Sequence, residues 1–267
     1  MLLCCNVSVL RYNTVTALNN IIKPEAQQAP FCSATNSSIT RQLAGDLSQH
    51  RFTLRHRPKQ VVYQLDNDPL VLANIYDAEV RLTCWQRDLD ANSLAYVNWL
   101  LERGRLLPLR LVASPETLTE HLMQDLPDHP NRSDFIKDVV YLADMFACLF
   151  GLEEVGVRLS LLKEAMCPRF HVDRIGARMV CTYAGSATQW LPNEVVDRSK
   201  LGRGSNGLDD HESGLYPAET IPNQMRAGDV IIMKGDTWPE QEGQGLVHRS
   251  PACTPQAPRL FLSMDVM

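Results

Sequence analysis

The 267-residue sequence lacks the short motifs that name a chemistry on sight. It has no CxxC pair, no Walker loop, no GxSxG, no HExxH and no dinucleotide fingerprint. No apolar run approaches the roughly 18–20 residues that a membrane span needs, which argues against a membrane partner. The opening MLLCCNVSVLRYN is short and has no basic n-region, so it makes a poor signal peptide. Positive charge is not in excess. Lys and Arg number 26 against 31 Asp and Glu, the net charge is −5 and the pI is about 5.8. That balance disfavours a nucleic-acid partner, which needs a basic surface. The eight cysteines, at 4, 5, 32, 84, 148, 167, 181 and 253, form no compact framework. They read as reduced thiols in a cytoplasmic protein. No internal repeat is visible.

What is present falls into three textures. Residues 1–59 lack periodicity, are rich in Ser, Thr, Asn, Gln and Arg, and carry seven Lys/Arg against two Asp/Glu, so the remainder is clearly acidic. They read as a weakly ordered leader. Residues 60–267 are expected to form a single domain, with 60–155 as a helical support region. In NSLAYVNWLLERGRLLP, Leu94, Val97, Leu100 and Leu101 recur at helical spacing, closed by Gly104 and Pro108. SPETLTEHLMQDL opens with Ser114 as cap and Pro115 in the first turn. RSDFIKDVVYLADMFACLFG carries a broad apolar face from Phe135 to Phe150, with Gly151 as terminator.

From about residue 156 the texture changes to short strands: VRLSLLKEA, CPRFHVD, ARMVCTYAG, TQWLP, DVIIMKG, GLVHRSP and RLFLSMDVM. Seven or eight strands without an intervening helix predict an antiparallel sandwich or barrel, and a jelly roll is the eight-strand solution. The expected fold class is therefore α+β, a jelly-roll core over 156–267 with the upstream helices on one outer face. Residues 193–224, with four glycines, form a long insertion that reads as a lid or a disordered loop.

His171 and Asp173 are two apart, so on a strand they point to the same side. His248 follows 77 residues later, far enough for the intervening strands to bring it back beside them. Two imidazoles and a carboxylate make a facial triad suited to non-haem Fe(II). The plain alternative is a metal-free polar cluster at a strand end. Arg259 comes eleven residues after His248, opening the last strand, where an arginine can hold a carboxylate bidentately. Its alternative is an edge-strand arginine. Alternation puts Arg259, Phe261 and Ser263 toward the interior, and Leu260, Leu262 and Met264 under the helices.

This order of parts resembles the Fe(II)/2-oxoglutarate-dependent dioxygenases on a double-stranded β-helix of cupin-like type. The resemblance implies Fe(II) at His171, Asp173 and His248, and 2-oxoglutarate as cosubstrate at Arg259. The usual Ser or Thr two residues after that arginine is here Phe261, with Ser263 further on. CPRFHVDRIGARMVCTYAGSATQWLP, AGDVIIMKGDTWP, GLVHRSP and RLFLSMDV are similar to a bacterial family, domain of unknown function 1826, which supplies membership and no reaction. The substrate stays open, a small molecule or a protein. Thr182 and Tyr183 are candidate hydroxyls for the cosubstrate, against buried structural hydroxyls. Cys167 is a candidate fourth ligand that would favour zinc, against a small core residue. Arg169, Lys234 and Trp238 are candidate substrate-facing groups. Asp210, His211 and Glu212 read as a solvated stretch of the insertion. The rival function is a cupin-like zinc- or iron-binding protein without catalysis.

Overall fold

A computed structural model describes residues 62–266, and the leader expected over 1–59 lies outside the described residues. Among the described residues ten strands and three α-helices follow in order. The strands are β1 (Val62–Asp66), β2 (Val80–Trp85), β3 (Leu109–Ala113), β4 (Val155–Leu162), β5 (Ala177–Ala184), β6 (Gln189–Trp190), β7 (Asn223–Gln224), β8 (Val230–Lys234), β9 (His248–Arg249) and β10 (Arg259–Asp265). The helices are α1 (Ala91–Arg103), α2 (Pro115–Asp125) and α3 (Arg132–Phe150), and a 3₁₀ helix spans Pro69–Tyr76.

The helices begin and end where local chemistry dictates. Asp90 caps α1 by accepting from the amides of Asn92 and Ser93. Ser114 caps α2, with Pro115 in its first turn. Gly104 and Gly151 close α1 and α3 in the left-handed conformation. The α1 face is rotated from the expected one. Ser93, Tyr96, Val97 and Leu100 are buried, whereas Leu94 is exposed. Tyr96 brings this about, filling the core with its ring while its hydroxyl donates to Pro127 O at 2.9 Å.

Seven strands form one sheet in the order β1-β2-β8-β5-β10-β4-β3, and three short ones form a second, β7-β6-β9. The support region therefore supplies strands as well as helices. β1, β2 and β3 occupy both edges of the large sheet, and β1 pairs parallel to β2. Alternation sorts the sheet cleanly. Met179, Cys181, Tyr183, Val230, Ile232, Leu260, Leu262 and Met264 pack with Phe135, Val139, Leu142 and Phe146 of α3. Each such side chain contributes roughly 1.5–3 kcal/mol by leaving water. Leu82, Val180, Ile231, Met233 and Phe261 face the other way and pack with Trp190 of the small sheet. The fold is thus mixed α and β, with helices on one face of a large sheet and a small sheet over the other. Among the described residues no helix is long and apolar enough to cross a membrane.

The 193–224 insertion is built. It contains three short 3₁₀ turns, and its Leu215 and Tyr216 pack with Phe170, Leu191 and Val247. Asp210 is buried, contrary to the solvated reading, while His211 and Glu212 stay exposed.

Candidate metal centre

CPRFHVD is not a strand. His171 makes a single bridge to His248, with His171 N–H donating to His248 O at 3.0 Å and the reverse bond at 2.9 Å. Cys167 O accepts from Ser250 N, so three residues bulge out between those two pairings, opposite one on the partner. The bulge has a cause. Pro168 has no N–H to give, and Phe170 N donates to Asp210 Oδ2 at 2.9 Å instead of to a ladder. Arg169 leans the same way, donating to Asp210 Oδ1 at 2.7 Å. Asp210 thereby ties the insertion to the segment that carries His171 and Asp173. Gly245 lets the segment close up on its other side: a Cβ there would stand 2.4 Å from Val172 Cγ1.

The three expected side chains converge. Ligand atoms of His171, Asp173 and His248 all lie within 4.8 Å of one another, the one such group found among the described residues. His171 Nε2 stands 3.6 Å from Asp173 Oδ1, and His248 Nε2 stands 3.3 Å from Asp173 Oδ2. Both Nδ1 atoms face main-chain carbonyls, Arg169 O at 2.9 Å and Leu246 O at 3.1 Å. A carbonyl only accepts, so each Nδ1 carries a proton, and each Nε2 faces Asp173 at the shared centre, where it would give up its bond to the carboxylate to offer a lone pair to a metal.

Arg178 fixes the carboxylate. Its Nη1 donates to Asp173 Oδ2 at 2.8 Å, while Nε and Nη2 clamp Asp265 at 2.6 and 2.8 Å. Burial raises the pKa of Asp173, but bonds from His171 and His248 and the charge of Arg178 overcome this and hold it well below the usual carboxylate range. For His171, burial pulls the pKa down, and the bond to Asp173 outweighs it and raises it. Two imidazole Nε2 atoms and a carboxylate form a donor set that fits a divalent cation of the Fe(II) or zinc kind, whose binding would displace any proton on those nitrogens.

Arg259 shares a cavity with this cluster. The lining includes His171, His248, Val180, Met233, Phe261 and Ser263 as well as Arg259. Arg259 is fully buried. Its Nη1 donates to Ser250 Oγ, its Nη2 to Thr182 Oγ1 at 3.3 Å, and its Nε has no partner. No carboxylate pairs with it among the described residues, and burial lowers its pKa.

Other expected groups lie elsewhere. Tyr183 points to the helices, because it is one step from Thr182 on β5, and its hydroxyl donates to Asp138 Oδ2 on α3 at 2.7 Å. Lys234 shares the helix-facing side of β8 with Val230 and Ile232, not the mouth. Its Nζ donates to Asp77 O at 2.9 Å and lies 4.6 Å from the ring centre of Trp238. Trp238 packs on Tyr76 and Phe150. Arg169 is committed to Asp210. Cys167 lines the cavity but is exposed, neither core nor part of the converging three. Arg178 was missed, since its contact with Asp173 depends on the turn between them. Its position on the interior parity of β5, with Val180 and Thr182, was the available signal.

The chain belongs to the family described as "Protein of unknown function (DUF1826)", whose model matches residues 66–265. No curated protein matches it. Among solved structures, a dioxygenase for auxin oxidation from rice is 13% identical, with 70% of this chain and 72% of that one covered and a TM-score of 0.41. A prolyl-4-hydroxylase of Pseudomonas putida is 13% identical over 73% and 90%, with a TM-score of 0.37. An oxidoreductase of the 2OG-Fe(II) oxygenase family from Burkholderia pseudomallei is 12% identical over 76% and 93%, with a TM-score of 0.36. At such scores these likenesses do not by themselves decide fold or chemistry.

Proposed function

We propose that the chain is an Fe(II)/2-oxoglutarate-dependent oxygenase on a double-stranded β-helix, acting in the cytoplasm on a small molecule or a protein. Neither nucleic acid nor membrane is a partner in this reading. His171, Asp173 and His248 would hold the iron. Bound there with 2-oxoglutarate, the metal would supply oxidation of a substrate C–H bond by O₂. The chain's own part is to orient: the Nδ1 bonds fix both imidazoles, Arg178 fixes Asp173, and Arg259 receives the distal carboxylate between Ser250 and Thr182.

The observation that carries the reading is the charge state around Arg259. A buried guanidinium without an anion is costly, and the cavity it shares with His171 and His248 offers it only hydroxyls. A dicarboxylate that reached the metal with one end would supply the missing charge with the other. Saturating 2-oxoglutarate should therefore raise the melting temperature of the Mn(II)-loaded protein by about 5–10 °C, as binding at about 100 times Kd adds about 2.7 kcal/mol. Arg259→Met and Arg259→Ala should remove that shift and leave metal content unchanged. A shift of the same size in the Arg259 variants would remove Arg259 as the anchor, and no shift in the wild type would leave only the metal-binding protein without a cosubstrate.

A further inference from the structure

Among the described residues four arginines line the cavity, Arg158, Arg178, Arg249 and Arg259, and no Asp or Glu does. Two of them have acids behind them. Arg178 is clamped on Asp265 and bonded to Asp173, and Arg249 stands 3.6 Å from Asp210 and donates to Gln189. Arg259 is the group assigned above to the cosubstrate. Arg158 remains. It makes no ion pair among the described residues, and its one hydrogen bond there goes to Met166 Sδ at 3.0 Å, a weak acceptor for a charged donor.

Strand register aims Arg158 at the same space. Ser263 on β10 lies opposite Arg158 on β4 and opposite Val180 on β5, and all three line the cavity. On its other side Arg158 faces Arg110 of β3, the edge strand. Like charges directly opposed across strands weaken a sheet. Asp265 is near enough to favour the charge on Arg158, but both of its oxygens are already taken by Arg178. Burial, Arg110 and Arg178 together disfavour that charge. The half-buried guanidinium thus borders a cavity walled by Met166, Val180 and Met233, with positive charge beside it and no anion to meet it.

We propose that Arg158 anchors the substrate, and that the substrate is an organic molecule carrying an anionic oxygen group, a carboxylate or a phosphate. Its apolar part would lie along Met166, Val180 and Met233, toward His171 and His248. The inference rests on the oxygenase reading, in which Arg259 is already occupied.

The test uses the full-length, zinc-loaded protein saturated with 2-oxoglutarate. Saturation-transfer NMR is recorded with butanoate, methyl phosphate and butanamide as probes. At least one anion should take signal and butanamide should not, and the stronger anion names the group. Arg158→Gln should cut the anion signal at least about five-fold and Arg158→Lys should keep much of it, as expected for loss or retention of one charge-assisted contact. Both variants should keep the 2-oxoglutarate melting shift. Equal signal from butanoate and butanamide, anion signal that survives Arg158→Gln, or silence from both anions would overturn the proposal. So would displacement of the anion by 2-oxoglutarate, which would give both arginines to one ligand. A wild-type protein without the 2-oxoglutarate shift counts against the oxygenase reading alone, because the anion signal is read separately.

Discussion

His171 and His248 each commit one ring nitrogen to a carbonyl two residues back, Arg169 O and Leu246 O. That local bond needs no distant partner, and it leaves the other nitrogen free to bind a metal. His171→Ala should therefore lower bound metal from about one ion per chain to near zero by elemental analysis. The His171 side chain is one-third exposed, so the metal-free variant should lose only about 1 kcal/mol in urea titration. Metal retained at full occupancy would remove the centre. Lys234 tests a different residue-scale claim, that it is a structural cation buried on the helix side. Burial lowers its pKa to about 8 from the ordinary 10.5, with Arg81 adding to the effect. Between those values the unfolded chain holds a proton that the folded one has released, so stability rises with pH there. The wild type should gain about 2 kcal/mol across pH 8 to 10.5 from this group, and Lys234→Met should abolish that gain in parallel urea titrations.

At the scale of elements, α3 is held to the sheet by a buried polar network as well as by its apolar face. Arg87 clamps Asp138 through Nη1 and Nη2, Tyr183 donates to the same carboxylate, and Arg87 Nε donates to Gly228 O. The Arg87 and Asp138 side chains are 10% and 13% exposed. Asp138→Ala would leave a guanidinium and a phenol without their acceptor and should destabilise the protein by about 3–5 kcal/mol in chemical denaturation. A loss under about 1 kcal/mol would show that water reaches the pair. The helices themselves were legible from their caps and apolar spacing, because capping and periodicity act within one turn or a few. Tyr183 was not. Facing Asp138 depends on which side of β5 meets α3, and a strand with both faces buried does not announce that in its sequence.

At the scale of the molecule, strands from 62–113 form both edges of the sheet whose centre, β8, β5 and β10, comes from 177–265. The expectation that 60–155 is support and 156–267 is core divides the chain where the sheet does not. The leader is a separate matter, tested by deletion. A chain lacking residues 1–59 should unfold in one cooperative step and bind metal as tightly as the full chain. Loss of cooperativity would place the domain boundary further upstream.

Local order along the chain was sufficient for the metal-binding candidates, since His171 and Asp173 are two apart and His248 and Arg259 follow at fixed intervals. It was also sufficient for the alternation of β10, which sends Leu260, Leu262 and Met264 to the helices and Arg259 inward. Only the tertiary structure decided which arginines have acids. Arg178 meets Asp265 across the β5–β10 register, Arg169 meets Asp210 through the folded insertion, and Arg158 and Arg259 pair with none among the described residues. Ion pairing depends on distances between atoms far apart in the chain. Strand register and loop packing set those distances, and composition and periodicity carry no record of them.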